Sequence, residues 1–256
     1  MLEKFRKAVD LYKNATQKDC YSVKIVKGRP SILDNKIGGD PYLPVGEVYP
    51  TDEKGNPLAL LLQVNLKDIK LEGYPNSGIL EIFTDAEMGW PCKYSVKYFK
   101  EGLDYQKKFP KIKTKEYIVT KSYKIELQKD VAHMPINDYR FGETFSKAVN
   151  TVFGTSLEHY GDISDYFENV EWDWIDELCN SLNDLPITIG GYADFTQGDP
   201  RLEGEENRDE CLFKLDSNAD YTKFSIGDSG ILFAIISKDD ILSCNFENAL
   251  VDWDCC

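Results

Sequence analysis

The sequence predicts a mainly β, α+β fold: a single domain, 1–256, built on an internally duplicated β unit, with an N-terminal helix and two central helices. Three observations predict it. "IGG" occurs at Ile37–Gly39 and again at Ile189–Gly191, and "SGIL" follows at Ser77–Leu80 and at Ser229–Leu232. The spacing from Gly38 to Ser77 is 39 residues, the same as from Gly190 to Ser229. The most apolar runs, "ALLLQVNL" and "ILFAII", have the length of strands, far short of the ~20 residues that span a bilayer. Apolar residues recur at helical spacing in three segments only: 2–15, 139–153 and 165–182.

In chain order, Leu2, Phe5, Ala8, Val9 and Tyr12 form one face of the first helix, and "YSVKIVK" then alternates as a strand. Gly- and Pro-punctuated chain runs to Pro57. "LALLLQVNL" (Leu58–Leu66) is nearly continuous in apolar residues, as a strand covered on both faces would be. "GYPNSG" turns into the strand "ILEIFTD". Between Tyr94 and Leu127 the pattern is β with a lysine face, as in "SYKIELQ". The helix at 139–153 takes Asn137 or Asp138 as N-cap and Gly154 at its end, and that at 165–182 takes Ser164. The second "IGG" then opens a β region that lasts to the end. The repeats cover about 37–85 and 189–238, with a central insertion, 86–188. There is no third copy, so this is a duplication and not a solenoid.

Net charge is −14 and unevenly placed. Residues 93–129 hold eleven Lys and four acidic residues; residues 158–210 hold sixteen acidic residues and two Arg. This acidity argues against nucleic acid and membranes as partners. The acidic segment is either a solvated face or a docking surface for a basic protein partner, centred on Glu203, Glu205, Glu206 and Asp209. The N-terminal segment lacks an apolar signal core, and the seven Cys are scattered without a CxxC pair, so a cytoplasmic, disulfide-free chain is expected, with a monomer as its state.

Several motifs reduce to structure. "GDSG" (Gly227–Gly230) is followed by Ile231, and the first copy carries "NSGIL" at the same place; a turn that both copies need explains it better than a nucleophile, with Gly supplying the positive φ. "DSNAD" (Asp216–Asp220) lacks the Gly and Glu of a calcium loop. His133 and His159 are isolated, and neither a GxGxxG nor a P-loop occurs. "WDCC" reads as a terminal strand. No catalytic residue, metal or cofactor is expected. The polar residues within apolar surroundings, Gln63, Asn65, Gln197, Asp199, Arg201 and Asp228, are either an internal hydrogen-bonded lattice or the lining of a cleft between the repeats.

"NKIGGDPYLPVGEVYPTDEKGNPLALLLQVNL", "IGGYADFTQGDPR", "GDSGILF" and "VDWDCC" together resemble the YwqG-like family, a bacterial and eukaryotic domain of unknown function, over residues 36–256. This chain has Tyr49 and Ile226 where the family usually has Trp, Ala193 for Pro, and Lys214 for Gln. The resemblance implies a cytosolic, mainly β, α+β fold and brings no established reaction or catalytic residues; some bacterial relatives resemble immunity or accessory proteins encoded beside toxins. The reading is a non-enzymatic protein-binding or accessory module with an acidic surface, the alternative being a small-molecule- or peptide-binding protein or an enzyme.

Overall fold

The structure, a computed structural model, describes residues 1–85, 89, 91–112, 119, 121–159, 161–162, 166–167, 174, 178, 181–182, 185–202, the backbone of 203, 204–205, 207–217 and 224–255. Most of the predicted helix at 165–182, Cys179, Cys256, Glu206 and most of "DSNAD" lie outside the described residues, as does the Glu203 side chain.

Ten strands form one sheet: β1 (Lys18–Val26), β2 (Lys36–Ile37), β3 (Ala59–Asn65), β4 (Ile79–Thr84), β5 (Tyr94–Phe99), β6 (Tyr123–Ala132), β7 (Ile187–Gly190), β8 (Glu210–Asp216), β9 (Ile231–Ile236) and β10 (Leu250–Asp254). Their order is β10-β9-β8-β7-β1-β6-β2-β3-β4-β5. All the pairings are antiparallel. The order is a palindrome about the β1–β6 pair, so the duplication in sequence becomes a pseudo-two-fold in the sheet. The correspondence extends to register. Lys36 pairs with Gln63 and Gln63 with Glu81; in the second half Thr188 pairs with Lys214 and Lys214 with Phe233. Both long hairpins carry a bulge at the same place, between Leu60 and Leu62 and between Cys211 and Phe213. A bulge bends and twists its strand, and here the sheet curls until its edges approach. The Tyr94 side chain bonds to the Val251 backbone, the Asp252 carboxylate to the Cys92 backbone, and the rings of Tyr98 and Phe246 lie 5.3 Å apart.

The curl separates two faces. On the inner face Leu62, Val64, Leu80, Ile82, Phe213, Leu215, Leu232 and Ala234 share one buried cluster that spans both halves. On the outer face, the segments after each Gly-Gly cover the hairpins as arms: Tyr42, Leu43 and Tyr49 over Ile79, Phe83 and Phe99, and Ala193 and Phe195 over Phe233 and Ile235. This explains the mostly apolar β3 and the all-apolar β9, which are buried on both faces.

The repeated glycines are explained by their neighbours. Gly38, Gly39, Gly190 and Gly191 all take positive φ, from 73° to 85°. A Cβ on Gly39 would lie 2.5 Å from Ser122 Oγ, just before β6; one on Gly191 would lie 2.8 Å from Ala132 Cβ and 3.1 Å from Cys20 Cβ. The arms leave the sheet here by a left-handed turn pressed against the central strands, and only glycine permits both. The Ser-Gly turn differs from expectation. Gly78 takes φ 108°, but in the second copy Ser229 itself takes φ 65°. Gly230 is required for space, because a Cβ there would lie 2.5 Å from Asp254 O.

The first helix, α1 (Leu2–Ala15), packs Phe5, Ala8, Val9 and Tyr12 against Phe141, Phe145, Ala148 and Val149 of α2 (Phe141–Phe153). The Tyr12 and Phe145 rings meet edge to face at 5.4 Å, and Tyr12 Oη donates to Met134 O at 2.9 Å. Gly154 ends α2 in the left-handed conformation, as expected. The N-cap position, however, is Arg140: Asp138 accepts from the Arg140 amide and belongs to an ion-pair network. A short helix, α3 (Lys238–Leu242), is capped by Ser237, which accepts from the Asp240 amide.

Candidate functional site

The register places equivalent polar rows on the outer face of each half, beneath the arms. The first row runs Lys36, Gln63, Glu81, Lys97 across β2 to β5; the second runs Thr188, Lys214, Phe233, Asp252.

In the first row Glu81 is 0% exposed and Lys36 is 2% exposed. The Tyr42 amide, from the arm, donates to both Glu81 Oε1 at 2.7 Å and Gln63 Oε1 at 2.9 Å. Gln63 Nε2 donates to Ile32 O and Asp34 O, and Lys36 Nζ donates to Ser31 O and Ile32 O. Gln63 thus lies between acid and base. Two strand spacings place the Lys36 and Glu81 backbones about 10 Å apart, and no ion pair joins their side chains among the described residues. Glu81 Oε2 is buried without a hydrogen-bond partner. Burial pushes the Glu81 carboxyl up to about 8, against the pull of the Tyr42 amide and the Lys36 charge. Burial likewise pulls Lys36 down to about 8, against attraction from Glu81, Asp40 and Asp34. Asn65 on the same strand caps a short turn through the Lys67 amide and donates to Glu101 at 2.9 Å.

In the second row the buried charges are permuted on the same scaffold. Lys214 occupies the position of Gln63, and Asp194, in the position of Tyr42, is the buried acid. Its carboxyl is raised by burial, with the Lys214 charge opposing. The Thr188 hydroxyl is buried without a partner and, with Lys214, His133 and Tyr192, lines a cavity of about 10 Å³, room for one water.

Asp199 and Arg201 are brought together, as their spacing allows. Arg201 is 2% exposed. Its Nε donates to Asp199 Oδ1 and its Nη2 to Asp138 Oδ2, both at 2.8 Å. Arg140 Nε and Nη2 donate to Asp138, and Asp209 lies within 3.2 Å of Arg140 and 3.5 Å of Arg201. The Tyr139 amide donates to Asp199 Oδ2. Arg201 stacks on Tyr139 and Phe195. Burial alone would raise Asp138, but the Arg140 hydrogen bonds and the Arg201 charge hold it below its ordinary value.

Gln197 is placed elsewhere. Its backbone amide and that of Thr196 donate to Asp254 Oδ2, and its side chain donates to Cys255 O, fastening the arm to β10. Asp228 is exposed in the turn before β9. Of the acidic residues, Glu205 pairs with Arg208, and Asp209 is spent partly on the arginine network. The residues that sequence reasoning missed are Lys36, Glu81, Asp138, Arg140, Asp194 and Lys214. Glu81 carried a readable signal, one acid inside the apolar run "ILEIF". Among the described residues no three His, Cys, Asp or Glu side chains are grouped to hold a metal, and no helix is long and apolar enough to cross a membrane. Cys20, Cys92, Cys211, Cys244 and Cys255 are free thiols.

Fold and rows together define a class: a duplicated, curled antiparallel sheet whose halves each bury charge beneath a Gly-Gly arm. The family described as "Domain of unknown function (DUF1963)" matches residues 35–255, and the chain belongs to it. No curated protein matches the chain.

Proposed function

We propose that the protein is a non-enzymatic binding or accessory module whose acidic surface, within residues 158–210, receives a basic protein partner. One observation carries this reading: among the described residues, no ion pair joins the Lys-rich segment to the acidic one. Among the described residues Lys93 pairs with Asp52, Lys124 with Asp34 and Lys129 with Asp19. The ion pairs of the acidic segment go to Lys18, Arg140, Arg201 and Arg208. Excess like charge at a surface costs stability, and a docking use gives a reason for keeping it. A second reading, a small-ligand or peptide site, draws support from the open acceptor on Glu81.

The test is quantitative capture of partners by the whole protein and by a Glu203→Lys/Glu205→Lys/Glu206→Lys variant. Asp209 is left intact because it serves Arg140 and Arg201. The reading expects loss of specific partners, with association in the native pair slowing as salt rises. Retention of every partner by a folded variant sinks it.

A further inference from the structure

We propose that Glu81 is a protonation-controlled latch: neutral, its carboxyl holds the first arm closed over the sheet, and ionised, it favours opening of the segment around Tyr42.

Within the first arm, the Tyr42 amide is held from the sheet by two side chains, Glu81 and Gln63. A buried carboxylate needs a cation or several donors. Glu81 has one donor, at Oε1, and Oε2 has none. The charged and titratable groups around it do not supply another. Lys36 on β2 is committed to the carbonyls of Ser31 and Ile32, with Gln63 interposed. Lys97 is opposite Glu81 on β5 and half-exposed, with no ion pair to it among the described residues. Asp40 and Tyr49, from the arm, are acidic or neutral; the Tyr49 hydroxyl is pushed up by burial first and then by Glu81 and Asp40. Water would hydrate the carboxylate fully, and water reaches it only when the arm lifts.

Linkage then fixes the sign. The acid is raised in the closed form, so closure is most favoured below the ordinary glutamate value of 4.5 and is weakened as pH rises to about 8, after which it is weakened no further. Lys36, lowered in the closed form, acts oppositely: closure is weakened as pH falls from 10.5 to about 8. Opening therefore peaks near pH 8. The surface bonds that also tie the arm, Val45 N to Asp104 O and Gln106 N to Leu43 O, do not titrate. They set the basal cost of opening and leave the pH slope to Glu81 and Lys36.

Hydrogen exchange of the full-length protein tests this. Protection factors for Tyr42 and Leu43, corrected for intrinsic exchange, should fall at least about tenfold between pH 5 and 8, while core amides of β8 do not follow. Glu81→Gln, which keeps the acceptor for Tyr42, should flatten that limb, and Lys36→Met should flatten the alkaline one. A flat wild-type profile, or the same slope in Glu81→Gln, overturns the proposal. Should Glu81→Gln not fold, infrared spectroscopy of the wild type decides. A buried protonated-carboxyl band present at pH 6 and lost by pH 9 supports the latch, and its absence at pH 6 overturns it.

Discussion

Replacing Arg201 by Met tests whether the arginine network is part of the interior or a set of surface pairs. Arg201 is 2% exposed, and the carboxylates of Asp138 and Asp199 are 0% and 1% exposed. In Arg201→Met the Asp138 carboxylate keeps Arg140, but Asp199 keeps only backbone donors, the amides of residues 139 and 201. Leaving a buried charge without its partner costs about 3–5 kcal/mol. Arg140→Met should cost less, about 1–2 kcal/mol, because its side chain is 28% exposed and Arg201 remains on Asp138. For a chain of this size the first corresponds to a fall in Tm of roughly 10 °C. The pH dependence gives a second handle. The depressed Asp138 contributes stability above the ordinary aspartate range that is lost as pH falls through its folded value. The difference between Arg201→Met and wild type should therefore be widest at neutral pH and narrow as pH falls below the ordinary aspartate value of 3.8, where the stability contributed by Asp138 is lost. Adding Asp199→Asn should recover part of the loss. Urea denaturation followed by tryptophan fluorescence measures all of these. An Arg201→Met protein within about 1 kcal/mol of wild type, or one more stable than Arg140→Met, would refute the reasoning.

Three further outcomes are expected. Gly191→Ala should cost about 2–4 kcal/mol, combining a left-handed backbone with a Cβ against Ala132 and Cys20, whereas Gly154→Ala, at φ 72° with nothing within 4 Å, should cost about 1 kcal/mol; equal losses in chemical denaturation would discredit the close-approach account. Tyr12→Phe should lower stability by about 1–2 kcal/mol, since Met134 O loses its buried donor while the ring contacts persist; no change in urea midpoint would show that water replaces it. Glu81→Gln should be stabilised relative to wild type increasingly from pH 4.5 towards about 8, because only the wild type must ionise a buried acid; a parallel pair of stability curves would contradict the raised carboxyl.

The sequence by itself determined the repeat and most of the strands. Spacing and apolar period are local properties, and "LALLLQVNL" read as a strand covered on both faces, as β3 is. It also indicated that Gly38–Gly39 and Gly190–Gly191 answer one geometric need, since the same pair recurs at the same distance from the same turn. It did not reveal what the glycines touch, for Ser122 and Ala132 are 83 and 59 residues away from Gly39 and Gly191. Asp199 and Arg201 were legible as a pair, being two residues apart, but Asp138 and Arg140 join them across some sixty residues of chain. Gln63 and Gln197 looked alike in sequence and serve different ends of the molecule, one beneath the first arm and one at β10. The partner of a buried polar group is decided by register and closure, which depend on long-range pairing. So tertiary structure alone put Glu81 in line with Lys36, set an amide between them, and left one of its oxygens without a donor.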